Sequence, residues 1–276
     1  MGQTPTSEMF DGSALLPIWD RLDATEKAMD EADRWFKRSQ VLSDRRLDGA
    51  HRAGRRAYII ANALIAKARE SQLMLAQTMT TPGVNVFPHA TPDIIRPAFE
   101  AAATALWILD GDTTEDRRLR GLRCAWKDHK ESWNWATELM LPIFMTDEQI
   151  AAQQAKHALI SKRYHDDAHD LGFNWGKVTN PMNFRDEVGK LSTVASEPEL
   201  AAFLRAIWRR LSGVQHGLMY ASLLGSDMHQ AVPIPGGVEV VLFTNDDALM
   251  TDCQASALMQ LWAMNKYIER TRGLTR

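Results

Sequence analysis

Residues 197–224 read EPELAAFLRAIWRRLSGVQHGLMYASLL, and the spacing of their apolar positions decides the fold class. Leu200, Leu204, Ile207, Leu211, Val214, Leu218 and Ala221 recur at intervals of three and four. That period places them on one stripe of an α-helix and marks the stripe as a core face, so the spacing predicts a continuous helix over 197–224. The same period runs through Tyr58, Ala61, Ile65, Ala68, Gln72, Leu75 and Met79, and again through Leu119, Leu122, Trp126, His129, Trp133, Ala136 and Met140. A chain of such segments is all-α, a multi-helix bundle of long antiparallel helices.

Punctuation along the chain agrees with this. Thr114 followed by Glu115 and Asp116 opens one helix, with acids where the helix dipole favours them, and Thr91 caps another that starts in TPD, 91–93. TTPGVNVFPHATP (80–92) and LGFNWGKVTNPMN (171–183) are rich in turn formers and read as loops inside a single helical domain spanning 1–276; a boundary near 175 is the alternative. One stretch departs from the helical period. AVPIPGGVEVVLFT, 231–244, places a Gly-Gly turn before an alternating branched run and predicts a small β-hairpin, with Pro233 and Pro235 confining its first arm to an edge. Asn245 or Asp246 then caps a last helix carrying Leu249, Leu258, Leu261, Trp262 and Ile268.

Composition excludes several classes of function. The 276 residues are 45% hydrophobic and 24% charged, ordinary for a globular protein, and a chain of this size can bury about 75% of its unfolded surface. The net charge of -3 gives no general attraction to polyphosphate, so broad DNA binding is not expected, although a local basic face is compatible with it. Cys124 and Cys253 lack CxxC spacing and read as core thiols of a cytoplasmic protein. MGQTPTSEMFDGS has neither a basic start nor an apolar run, and the longest apolar stretch, AAATALWIL at 101–109, is too short to span a membrane. P-loop, nucleophile-elbow and dinucleotide-binding motifs do not occur.

The helix over 197–224 also has a polar face. Arg205, Arg209, Ser212 and His216 fall within an arc of roughly 60° on an ideal helix, flanked by Gly213 and Gly217. Glycines inside a helix cost about 1 kcal/mol each, so their presence implies a closely approaching backbone. Arg205 and Arg209, one turn apart, should attract a carboxylate or phosphate. A candidate carboxylate is Glu100 in IIRPAFEAAATALWIL, 94–109, almost surrounded by apolar residues and costly to bury unless it pairs with Arg96, Arg209 or His216.

Arg209 with His216, and equally Arg210 with His216, fits the R-x(4-6)-H pattern, and on those residues the chain resembles the HEPN superfamily of small helical proteins. The resemblance covers residues 205–220 and extends to 94–109. It departs from the family where Leu211, rather than a small polar residue, follows Arg210; Ser212 is the substitute. The family includes metal-independent ribonucleases of toxin and phage-defence systems, so the resemblance implies an RNA or nucleotide partner, no cofactor and no metal. It assigns proton transfer at the 2′-hydroxyl or leaving oxygen to His216, phosphate binding and charge stabilisation to Arg209, orientation of His216 or the arginine to Glu100, and a phosphate hydrogen bond to Ser212. Sites of this kind form across a two-fold interface in the family, which implies a homodimer. The alternative is a non-enzymatic helical scaffold or protein-interaction module in which the same Arg, Glu and His side chains form a buried structural network.

Other polar motifs have plainer readings. His129 reads as a hydrogen-bonded core histidine, and Trp126, Trp133 and Trp135 as core rather than base-stacking residues. YHDDAHD, 164–170, reads as a charged, solvated helix end, with a metal held by His165 and His169 as the alternative. RRLDGAHRAGRR, 45–56, reads as an exposed basic helix surface that could instead contact phosphates.

Overall fold

The computed structural model describes residues 12–81, 90–141, 143–235 and 237–273, and of these Asp227–Ile234 and Gly237–Thr244 by backbone only. A 3₁₀ turn, Gly12–Leu15, leads into α1 (Leu16–Arg38), α2 (Asp44–Gly49), α3 (Arg52–Thr80), α4 (Ala90–Leu109), α5 (Thr114–Glu138) and α6 (Asp147–Asp170). After these come α7 (Trp175–Thr179), α8 (Phe184–Val188), α9 (Pro198–Gln215), α10 (Met219–Leu224), the paired segments β1 (Ser226–Ile234) and β2 (Gly237–Thr244), and α11 (Asp246–Arg272). The fold is an all-α multi-helix bundle, in which β1 and β2 pair antiparallel as a two-stranded element among the described residues. Most of segment 80–92 lies outside the described residues, and 171–183 contains the short helix α7.

Helix α4 is the centre of the body. Its residues Ala101–Ala103 and Ala105–Leu109 are buried almost without interruption, because α3 packs on one side of it and α11 on the other. The contacts continue outward, α1 against α11 and α5 against α3, while α9 covers a further side of α4. The whole Tyr58-to-Met79 stripe of α3 is buried, as its period predicts. α11 is buried nearly all round, which explains why its apolar residues show a weak helical period: a helix enclosed on every side needs no polar face.

Buried polar groups tie these helices in register. Gln72 of α3 accepts from Trp19 Nε1 of α1 at 3.1 Å and donates to Ser256 Oγ of α11 at 2.9 Å. Asp48 of α2, fully buried, accepts from Arg117 Nε (2.6 Å) and Nη2 (2.9 Å) and from the Tyr58 hydroxyl (2.9 Å), joining α2, α3 and α5. At two points the helices approach too closely for a side chain. A methyl on Gly121 of α5 would overlap Ala57 of α3, and one on Gly54 would overlap the Asp48 carbonyl.

Several local expectations are corrected. The cap of α5 is Thr113, whose Oγ1 accepts from Asp116 N at 3.1 Å, one residue before Thr114. Thr91 lies inside α4 and is buried, so it is not the cap. Pro97 is also inside α4, where its missing N–H and ring remove one turn's hydrogen bond. Of the two caps named for α11, Asn245 serves: its Oδ1 accepts from Ala248 N at 2.7 Å. The helix expected over 197–224 is two helices. It stops at Gln215 because Gly217 takes φ = 66°, a left-handed conformation that side-chain-bearing residues rarely adopt, and Leu218 leaves the stripe to stand 46% exposed. The approaching backbone implied by Gly213 is α10 itself, since a methyl there would lie 2.6 Å from Ala221 Cβ.

Candidate functional site

Helix α9 ends at Gln215, one residue before the last member of the predicted polar face. His216 is the C-cap residue of α9, exposed, with its N–H bonded to the Ser212 carbonyl and no side-chain partner among the described residues. No side-chain contact joins it to Arg205, Arg209 or Ser212 among the described residues. Arg209 is exposed and lacks an ion-pair partner among the described residues; only its carbonyl is used, by the Tyr220 hydroxyl at 3.4 Å. Arg205 is half-buried with its guanidinium against Gly189. Arg210 points to the opposite side, pairing with Asp252 and donating to the Ala248 carbonyl at 3.1 Å, which locks α9 onto α11. Burial lifts the Asp252 carboxyl to about 7 against the pull of that arginine.

Glu100 finds Arg96, not Arg209 or His216. Its Oε1 accepts from Arg96 Nε at 2.9 Å, one turn away on α4, and from Trp208 Nε1 of α9 at 2.8 Å. The second point of contact between the helices is Arg96 with the Gln215 side chain. The residues of 94–109 and 205–220 thus meet, through Trp208 and Gln215 rather than through Arg209 and His216.

Where they meet, a groove of about 750 Å³ runs between α3, α4 and α5 and opens to solvent. Its floor is apolar: Ile60, Ala63, Leu64, Pro97 and Ala101. Three cations, Lys67, Arg96 and Lys127, and three carboxylates, Glu100, Asp128 and Glu131, line it together with Gln215. Cys124 also lies on the wall, its thiol pushed up to about 11 by burial and therefore unreactive near neutral pH. Arg96 and Glu100 are the only two of the seven expected site residues on this wall. Lys67, Lys127 and Gln215 escaped sequence reading because nothing local distinguishes them from solvated helix positions.

The other polar motifs are engaged inside the protein. The run 45–56 is not a free basic surface: Arg52 and Arg56 both pair with Asp167, which is completely buried within 164–170, and Asp48 is enclosed by Arg117 and Tyr58. YHDDAHD is accordingly anchored rather than simply solvated. His165 stacks on Trp175 with ring centroids 3.6 Å apart, and the His169 side chain is exposed, so the two do not converge on a metal. His129 is half-exposed instead of core. It stacks on His157 and shares Ser161 Oγ with it at 3.0 and 3.3 Å, and its desolvation lowers its pKa. Trp133 stacks on His157 at 3.9 Å, and Trp135 is 65% exposed, so the tryptophans of α5 face α6 and solvent more than the core.

No helix among the described residues is long and apolar enough to cross a membrane. Among the same residues no group of three metal-capable side chains is assembled. Compared with known proteins, the chain matches no family model, no curated protein and no solved structure.

Proposed function

We propose that this is a HEPN-like helical protein that binds RNA or a nucleotide in the groove between α3, α4 and α5, and that His216 at its end carries metal-independent cleavage of RNA. What supports this most is the pairing of Arg96 with Glu100 and with Gln215, the residue before His216, on the wall of an open groove; the His216 side chain is exposed and has no partner among the described residues. An imidazole with free ring nitrogens can take a proton from a 2′-hydroxyl or give one to a leaving 5′-oxygen. The 2′-oxygen would attack phosphorus, the P–O5′ bond would break, and a cyclic phosphate would remain. Arg96, held by Glu100 and Gln215, presents charge to the phosphate without reorganisation and takes the role expected of Arg209. Arg209 and Ser212 stand outside the groove and would touch only flanking phosphate.

Balanced groove charge sets a limit on how RNA is held. With three cations offset by three carboxylates, one or two phosphate contacts are available, and the apolar floor takes the base. The test is cleavage of labelled total RNA in EDTA by the parent protein and by His216→Ala, with folding checked by circular dichroism. Cleavage by the parent alone supports the proposal, and inert parent protein or an equally active variant overturns it.

A second reading, the non-enzymatic scaffold, is favoured by one specific contact: Glu100 Oε1 is shared by Arg96 and Trp208 and joins α4 to α9. Under that reading Glu100→Gln lowers stability, and neither the variant nor the parent acts on RNA.

A further inference from the structure

On the other side of Ile59 lies a second cavity, of about 520 Å³, between α1, α2, the start of α3 and Tyr267 of α11. Three arginines line it, Arg45, Arg46 and Arg55, against a single carboxylate, Asp33. Asp33 is already committed to Arg45 and to the Tyr267 hydroxyl. Arg46 donates only to the Val41, Phe36 and Ser39 carbonyls, and Arg55 only to the Gly49 carbonyl, so neither charge is neutralised by an acid among the described residues. The nearby carboxylates do not help, because Asp48 is taken by Arg117 and Asp44 by Arg270. Arg45 and Arg46 both lie over the Phe36 ring, 4.3 and 4.4 Å from its centre, which fixes both guanidiniums at the cavity wall. With Arg46 and Arg55 uncompensated, the cavity carries net positive charge that an anion would balance.

We propose that this cavity is a binding site for a phosphate monoester carrying a flat, mostly apolar group, the class to which mononucleotides belong. Ring-stacked guanidiniums bind phosphate in a fixed geometry, and exposed Ile59 with Ala50 forms an apolar wall for the flat group. Asn62 adds a donor and an acceptor at the same wall. The volume lies within the range of small-ligand sites, roughly 300–1,000 Å³. The site is separate from the groove, and its occupation does not depend on RNA cleavage.

The test is calorimetric titration of the full chain at low ionic strength with AMP, inorganic phosphate and adenosine, repeated on Arg55→Glu and Lys127→Glu. Arg55 is exposed and bonds only a neighbouring turn, so its variant should fold, with an unchanged melting temperature as the check. A saturable AMP site at least tenfold tighter than phosphate or adenosine, weakened at least tenfold by Arg55→Glu and untouched by Lys127→Glu, is the expected result; any AMP bound in the groove is distinguished as the component that Lys127→Glu removes and Arg55→Glu does not. No saturable AMP binding, phosphate binding as tight as AMP, or an affinity that responds to Lys127→Glu and not to Arg55→Glu overturns the assignment.

Discussion

Replacing Asp48 by alanine tests the packing account at its most enclosed polar point. The carboxylate has no solvent exposure and accepts three hydrogen bonds, two from Arg117 and one from Tyr58, while Arg117 is itself only 2% exposed. Removing the acid leaves the guanidinium buried with the Gly111 carbonyl at 2.8 Å and the more distant Asp44, at 3.6 Å, as its remaining strong partners. Breaking a buried pair on one side costs about 3–5 kcal/mol, because an uncompensated charge remains. For a chain of this size each kcal/mol moves the melting temperature by roughly 2–4 °C, so the midpoint should fall by about 10 °C. Urea denaturation followed by circular dichroism gives the number directly, with the slope expected to stay constant while the midpoint falls. Adding Arg117→Met to Asp48→Ala should recover part of the loss, since the stranded charge is then gone. A loss below about 1 kcal/mol for the single variant, or no recovery in the double, would refute the reasoning that this pair is a closed, water-excluded lock.

Other outcomes follow from individual geometries. Gly121→Ala should destabilise by about 1–3 kcal/mol in the same denaturation assay, because its methyl would press into Ala57 where α3 and α5 touch. Gly217→Ala should cost about 1–2 kcal/mol through its positive φ alone, as nothing lies within 4 Å of the added carbon. Asp252, held at about 7 when folded against an ordinary 3.8, binds more protons in the folded state, so its contribution makes the protein lose stability as pH rises from about 4 to 7. Urea midpoints at pH 5 and 8 should therefore diverge more for the parent than for Asp252→Asn. RNA binding should show a shallow salt dependence, a log–log slope of about -1.4 for two phosphate contacts, measured by anisotropy of a labelled single strand.

Much of the fold was legible because the buried stripes of α3 and α9 carry the helical period without interruption. The break at Gln215 was not, because Gly213 and Gly217 look alike in sequence: one is required by the approach of Ala221, the other by a left-handed turn. An ideal-helix projection across that turn carries the apolar stripe on to Leu218, which in the structure stands exposed. Arg96 and Glu100 were legible as a pair from their four-residue spacing in an apolar helix. Trp208 and Gln215, which complete their surroundings, come from more than a hundred residues away and carry no mark in the sequence. The run 45–56 misled for a related reason. Its acid partners, Asp167 and Asp33, are distant in the chain or on another helix, so Arg45, Arg52 and Arg56 read as surface when they are cross-ties.

Whether RNA occupies the groove is read by photocrosslinking of a 4-thiouridine-substituted single-stranded RNA to the folded protein, with the crosslinked peptides identified by mass spectrometry. RNA seated in the groove predicts crosslinks within 59–67, 96–104 and 124–131, together with the 209–216 segment. Crosslinks confined to other surfaces, or none at concentrations where the labelled strand is bound, would contradict it.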